Sequence, residues 1–422
     1  MAGWQQKLDV LRARVAEVAA DCDRRHAAPR IPDYQWDEAF PGEVVETAFG
    51  RHFETERLFA AHRHHGSADI GALSDLSADL LGTISGGTIP AARPEEWAFL
   101  DTETTGLGGS SASGTCAFLI GVGRIEREGF RVRQFFMRDL GEESSLLDAV
   151  SRHLEPFRVL ITYNGRAFDQ PLLESRYRWH RARPPFARLG HLDLLHGARR
   201  LWKLRFESCR LVDLESQVLG VERDGDIPGA LIPYVYFEYL RTGLLTRLLP
   251  VFEHNAIDIL TLACLTGIVP EAFNDPASRK LRHASEMAGL ARWLGAAGDL
   301  EGARALLRRA IDTQPGAHLR DELLFQALWD LSQLERKLEA RDAALEIWEN
   351  LASGLNPFRV RAIEELAKHY EHRAKDRAEA LKWTRAAREL VDSPELARRE
   401  ARLSRKAANT QEPSRRQPTK RR

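Results

Sequence analysis

Cysteine is scarce in this chain, and none of it is paired. The four cysteines, Cys22, Cys116, Cys209 and Cys264, stand far apart among 422 residues and form no C-x-x-C pair. That excludes a zinc site built on paired cysteines and argues against a disulfide framework; a reducing cytoplasm is the expected setting. Net charge is missing as well. Lys plus Arg is 61 and Asp plus Glu is 61, so affinity for a polyanion has to come from local patches. Lysine is rare: nine of the 61 basic residues are Lys and 52 are Arg. Arginine suits bidentate phosphate contacts, although a GC-rich coding bias accounts equally for the excess. No uninterrupted apolar run approaches the roughly 18 residues that span a bilayer. The N-terminal residues carry charges every few positions, unlike a secretory signal, and no membrane partner is expected. With 43% hydrophobic and 29% charged residues, the chain is neither disordered nor collagen-like.

Periodicity organises what remains. Trp4, Leu8, Leu11, Val15, Val18 and Cys22 fall on one stripe, which predicts an amphipathic helix over 4–24. Residues 25–95 hold Pro and Gly breakers and the cluster His62, His64 and His65, which lacks a carboxylate at ligand spacing. Near residue 96 the pattern changes. Short apolar runs at 97–100 and 116–122 and an alternating stretch at 130–137 predict three consecutive strands. A helix over 143–155 and a strand at 159–163 follow, then helices to about 267, giving an α/β layer architecture with a mixed sheet. From about 283 the chain reads as all helical. Ala303, Leu307 and Ala310 are echoed by Ala344, Trp348 and Leu351, and again by Ala380, Thr384 and Ala387. The offsets suggest an irregular TPR-like helical repeat; an ordinary bundle is the alternative. The expected domains are 1–95, an N-terminal helix and extension; 96–270, the α/β domain; 283–394, the helical domain; and 395–422, a basic, largely disordered tail.

Three motifs carry chemistry. Asp101 and Glu103 end an apolar strand two residues apart, so both carboxylates point to one face. Burying two adjacent anions is costly unless a cation neutralises them, and hard oxygens favour Mg²⁺ or Mn²⁺. Asp169 follows the strand and turn Tyr163-Asn164-Gly165, where a helix N-cap role competes with a ligand role. His254 and Asp258 are four apart on one helix spanning about 244–267.

In this order the motifs resemble the DEDD superfamily of 3′–5′ exonucleases, which have an RNase H-like fold. The wider stretch resembles the bacterial YprB-like proteins of that group. The segments that carry it are Phe99-Leu100-Asp101-Thr102-Glu103-Thr104-Thr105-Gly106-Leu107, Phe118-Leu119-Ile120-Gly121, Thr162-Tyr163-Asn164-Gly165, His191-Leu192-Asp193-Leu194-Leu195 and Phe252-Glu253-His254-Asn255. The resemblance covers about 96–267, and more weakly 46–66. It implies an RNase H-like mixed sheet flanked by helices, with two divalent ions (Mg²⁺ or Mn²⁺) on Asp101, Glu103, Asp169 and Asp258. It places His254 at the general base. His-type members carry that His five residues before the last Asp; here the interval is four, the spacing of the Tyr-type members.

A polyanionic substrate is consistent with residues 176–210, where ten basic side chains interleave with Tyr177, Trp179, Phe186, Trp202 and Phe206. Arg176, Arg178, Arg199 and Arg200, with Thr104 and Asn164 in the motifs, are the candidate contacts to single-stranded DNA or RNA. The aromatics also suit a core role, and Asp193 a structural one. The expected function is two-metal phosphodiester hydrolysis. Its alternatives are a non-catalytic nucleic-acid scaffold, with the helical region recruiting a protein, and a structure-specific endonuclease.

Overall fold

The structure is a computed structural model that describes residues 41–106, 114–277, 281, 283–312 and 319–411. The helix expected over 4–24 and residues 412–422 of the basic tail lie outside those residues, while 395–411, expected in a largely disordered tail, are helical. The chain divides into two compact units: Met1–Arg199 with Ser208–Asn274, and Arg200–Glu207 with Asp275–Arg422.

The first unit is built on a sheet that has seven strands among the described residues, in the order β1-β2-β7-β6-β5-β8-β9. The three consecutive strands read from the sequence are β5 (Trp97–Thr104), β6 (Ala117–Glu126) and β7 (Gly129–Phe136), joined antiparallel. β8 (Val159–Thr162) and β9 (Gly190–Asp193) add parallel to β5, which makes the sheet mixed. Trp97 to Leu100 are buried and the four residues after them half-buried. Apolar side chains thus anchor β5 in the core and deliver its carboxylates to the rim.

Two strands come from the stretch expected as an extension. β1 (Gly42–Thr47) and β2 (Gly50–Ala60) continue the sheet beyond β7. Three polar side chains of β2, His52, Glu54 and Thr55, are buried. His52 is fully buried, with Nδ1 2.9 Å from Ser145 Oγ and Nε2 2.9 Å from Glu54. The Ser145 hydroxyl donates to the Gly50 carbonyl at 3.0 Å, so this Ser-His-Glu arrangement is a structural tie and not a nucleophile. The short pair β3 (His64–His65) and β4 (Ala68–Asp69) follows. His65 Nε2 lies 2.8 Å from Thr261 Oγ1 and 3.2 Å from Glu215, so His65 serves packing, while His62 and His64 are exposed.

The helices α1 (Leu80–Ile84), α2 (Glu143–Leu154), α3 (Asp169–Trp179), α4 (Leu194–Trp202), α5 (Leu211–Leu214), α6 (Ile232–Thr242) and α7 (Leu249–Asn274) flank the sheet. α7 packs on β5, β6 and β7. The segment Leu245–Asn274 that contains it is, by length and composition, apolar enough to cross a membrane, although Glu253, His254 and Asp258 interrupt its apolar run. Val251, Phe252, Ala256 and Ile259 through Thr266 are buried, so it is the core helix of this unit.

The second unit is all helical: α8 (Ala284–Ala297), α9 (Leu300–Ile311), α10 (Asp321–Lys337), α11 (Arg341–Ser353), α12 (Arg359–His372), α13 (Arg377–Leu390) and α14 (Pro394–Gln411). The repeated positions land on alternate helices, α9, α11 and α13, and every one of them is buried.

Candidate active site

Asp101 and Glu103 sit side by side at the end of β5, just before a register shift between Glu103 and Thr104. A bulge at such a place re-aims the side chains that follow it. Across the ladder, Asp101 pairs with Gly121 of β6. The absence of a side chain there matters, because a Cβ at Gly121 would stand 2.2 Å from Asn255 Oδ1. Asn255 fills that space from α7. Its Nδ2 donates to Asp101 Oδ2 at 2.9 Å, and its Oδ1 accepts from Gln134 Nε2 at 2.9 Å. A fully buried amide with both ends engaged thus fixes Asp101.

Asp169 opens α3, and the cap position itself belongs to Phe168. Its Oδ1 accepts from Thr102 Oγ1 at 2.5 Å, which ties the helix start to β5. Asp258 lies one turn beyond His254 on α7, with its Oδ2 3.7 Å from His254 Nε2. The other nitrogen of His254, Nδ1, lies 2.8 Å from Asp226 Oδ1. A carboxylate only accepts, so that nitrogen carries a proton and the ring is oriented by Asp226.

Electrostatics joins these groups into one site. Burial pushes Asp101 well above the usual carboxylate range, and Glu103, Asp258 and Asp169 push it further. Glu103 is raised to about 8 by burial, then by Asp258, Asp169 and Asp226, against the pull of His254. Asp169 is raised to about 6, mainly by burial. Asp258 is also raised by burial, although His254 and Arg223 oppose it. His254 rises despite burial, because Asp258, Glu103 and Asp226 favour its charged form. Four carboxylates that disfavour one another's ionisation are short of positive charge.

Part of that charge comes from a residue the sequence did not single out. Arg223, in the loop before α6, reaches Asp258 at 2.5 Å, Glu215 at 2.5 Å and Asp226 at 3.3 Å. Glu215 stands in a π turn, Glu215–Leu219, that closes on the left-handed Gly220. Among the described residues, no three His, Cys, Asp or Glu side chains form a ready-made chelate. Asn255, Thr102 and Arg223 each hold one of the four carboxylates in a metal-free pairing. The donor set itself, hard oxygens with surplus negative charge, fits Mg²⁺ or Mn²⁺.

The other candidate contacts separate. Asp193 is structural: it accepts from the backbone N–H groups of Asn164 at 2.8 Å and Arg166 at 3.2 Å, and so holds the turn after β8. Asn164 adopts a left-handed φ of 67° in that turn. Thr104 Oγ1 donates to the Gly106 carbonyl at 3.3 Å. Arg176 is committed to Glu143 through two hydrogen bonds of 2.7 and 2.6 Å. Arg178 is exposed and 3.9 Å from Glu174. Arg199 and Arg200 are exposed on α4, and the Arg200 guanidinium lies over Trp293. Tyr177, Phe186 and Trp202 are core residues, whereas Trp179 is 69% exposed.

Two likenesses to known proteins bear on this site. The family model described as the RNase_H superfamily matches residues 98–269, the stretch that contains all four carboxylates and His254. The uncharacterized protein YprB of Bacillus subtilis (strain 168) is 34% identical over 308 residues, 72% of this chain and 71% of that protein.

Proposed function

The chain belongs to the same family as Bacillus subtilis YprB and carries an RNase H superfamily domain, and we propose that it hydrolyses single-stranded nucleic acid from the 3′ end with two divalent metal ions. The observation that carries this reading is the grouping of Asp101, Glu103, Asp169 and Asp258 around the end of β5, where Asp169 and Asp258 disfavour the charged forms of both Asp101 and Glu103. These carboxylates are the residues that would hold Mg²⁺ or Mn²⁺. Bound there, the ions supply Lewis-acid stabilisation of the attacking and leaving oxygens.

The remaining steps belong to the protein. Asp226 holds the Nδ1 proton of His254 and leaves Nε2 on the side of Asp258. From there Nε2 takes a proton from the attacking water. Asn255 and Thr102 keep Asp101 and Asp169 in register with β5. The exposed Trp179 and Arg178 on α3 offer a stacking face and a charge to the strand.

One observation favours a competing reading, binding without cutting: Arg223 already neutralises Asp258. Cleavage of 5′-labelled single-stranded DNA and RNA with Mn²⁺, Mg²⁺ or EDTA separates the readings, with Asp101→Ala alongside. The expected result is a metal-dependent ladder shrinking from the 3′ end and absent in the variant. Discrete internal cuts make the protein an endonuclease. Binding of either strand without any cleavage overturns the hydrolase reading.

A further inference from the structure

The helical unit carries a concave site of its own. Arg336 lies in the last turn of α10, the chain turns through Glu339 with a left-handed φ of 61°, and α11 starts at Arg341. With α12 these segments enclose a cavity of about 320 Å³, within the size range of small-ligand sites.

Its lining is unbalanced in charge. Arg336, Arg341, Lys368 and Arg373 face two carboxylates, Glu339 and Glu365. Both carboxylates are already occupied. Glu365 lies 2.7 Å from Lys368 and 3.3 Å from Arg336, and Glu339 pairs with Arg341. Glu371, next to the cavity in sequence, is taken by Arg402 and by Arg399 at 3.3 Å. Arg373 therefore has no carboxylate partner among the described residues. His369, also in the wall, is held below its ordinary range by burial and then by Arg341 and Arg373, against the opposing pull of Asp342. The positive field thus reaches inside the cavity. Arg341 belongs to the first turn of α11, whose cap residue, Ala340, provides no side-chain acceptor. The positive end of that helix dipole lies in the same wall, offset in part by Asp342 in the same turn.

The cavity also has an apolar side. Ala344 and Trp348 follow Arg341 on one stripe of α11 and belong to the core, Trp348 being 4% exposed, so they give the cavity only a narrow apolar floor; the Trp348 indole is fixed by donating to Ser332 Oγ at 2.9 Å. Guanidinium forks at the rim of a cavity with an apolar floor suit a ligand that carries an anionic group on a less polar frame.

We propose that this cavity binds a phosphate of single-stranded nucleic acid, with Arg341 and Arg373 on the phosphate oxygens and the attached sugar turned toward the apolar floor. The choice of nucleic acid over another polyanion rests on the nuclease reading above; the pairing of cations with an apolar face does not.

The test is fluorescence anisotropy with the full chain in EDTA. The probes are 5′-fluorescein oligodeoxythymidylate and oligouridylate of about twelve nucleotides, and a fluorescein-labelled oligoglutamate. The expected result is that Arg341→Gln/Arg373→Gln weakens oligonucleotide binding about tenfold or more at 0.1 M salt and lowers the salt slope by between about one and two. Thermal melts establish that the double variant folds. Lys368→Gln, which keeps both arginines, is expected to give a smaller loss in the same direction. Unchanged affinity and slope in both folded variants overturn the proposal, as does tighter binding of oligoglutamate than of either oligonucleotide. If the chain cleaves nothing with any metal and the variants still lose oligonucleotide binding, the nuclease reading fails and this site stands.

Discussion

Arg223 donates from Nη2 to Asp258 Oδ1 at 2.5 Å while its guanidinium also pairs with the buried Glu215. One of the four clustered carboxylates is therefore already neutralised by the chain. An ion that takes both oxygens of Asp258 has to compete with this arginine. Arg223→Gln is expected to destabilise the metal-free protein by about 3 kcal/mol, because removing one partner strands a buried carboxylate. It is also expected to tighten Mn²⁺ binding several-fold. Thermal melts in EDTA and Mn²⁺ titration by calorimetry or electron paramagnetic resonance check both. Weaker Mn²⁺ binding would show that Arg223 arranges the site instead of competing for it.

Asp101→Asn separates catalysis from stability. Asp101 is desolvated and faces Glu103, Asp258 and Asp169, all of which disfavour its charge. The amide removes that repulsion and still offers an oxygen to Asn255. The expected outcome is a higher melting temperature than wild type in EDTA, with cleavage reduced by about a thousandfold or more. A variant that melts lower in EDTA would mean that Asp101 is not held against like charges.

Much of this site was legible because its carboxylates are tied to element ends. An apolar strand that stops at Asp101, a turn before Asp169 and a helical i, i+4 pair at His254 and Asp258 are local patterns. What escaped was non-local. Arg223 and Asp226 sit in the charged loop Val221-Glu222-Arg223-Asp224-Gly225-Asp226, which reads as solvated until the fold brings Asp258 to it. Asn255 did leave a trace: it is the polar residue on the buried side of α7 beside Phe252, Ala256 and Ile259. β1 and β2 were hidden because His52, Glu54 and Thr55 are buried where an alternating pattern would place apolar residues. The arginine-rich segment misled in part, since Arg176, Arg188 and Arg205 satisfy carboxylates and carbonyls of the fold.

Gly121 is a position where one methyl group reports on the whole arrangement. An added Cβ meets Asn255 Oδ1 at 2.2 Å and Ile259 Cδ1 at 2.3 Å. Neither is free to retreat, because Asn255 is bonded on both sides and Ile259 is buried in the core. Gly121→Ala is expected to cost between about 1 and 3 kcal/mol, the usual penalty of overpacking. Cleavage should fall by more than the unfolded fraction explains, because Asp101 loses its anchor. Turnover per folded molecule equal to wild type would show that Asn255 is dispensable for positioning.

Two histidines outside the carboxylate cluster set the acid limit of the first unit. His153 is lowered to about 4 by burial and by Arg133 and Arg124, and its Nε2 has no hydrogen-bond partner among the described residues. His191 is lowered to about 4 by burial and by Arg166, and both ring nitrogens are engaged, with Gln170 at 2.6 Å and Thr162 at 2.8 Å. A histidine whose pKa is depressed on folding leaves stability untouched above its unfolded value of about 6.5 and costs stability as the pH falls below that. Between pH 6.5 and 4 each residue is expected to remove up to about 3 kcal/mol, with no further loss once the folded form also protonates. The Cε1–H resonances of both should stay unshifted down to about pH 5 while the urea midpoint of this unit falls. His153→Phe keeps the edge-on contact with Phe135, whose ring centroid is 5.4 Å away, and should remove about half of the acid sensitivity. A resonance titrating near pH 6.5 for either residue, or an unchanged pH dependence in the Phe variant, would overturn the assignment.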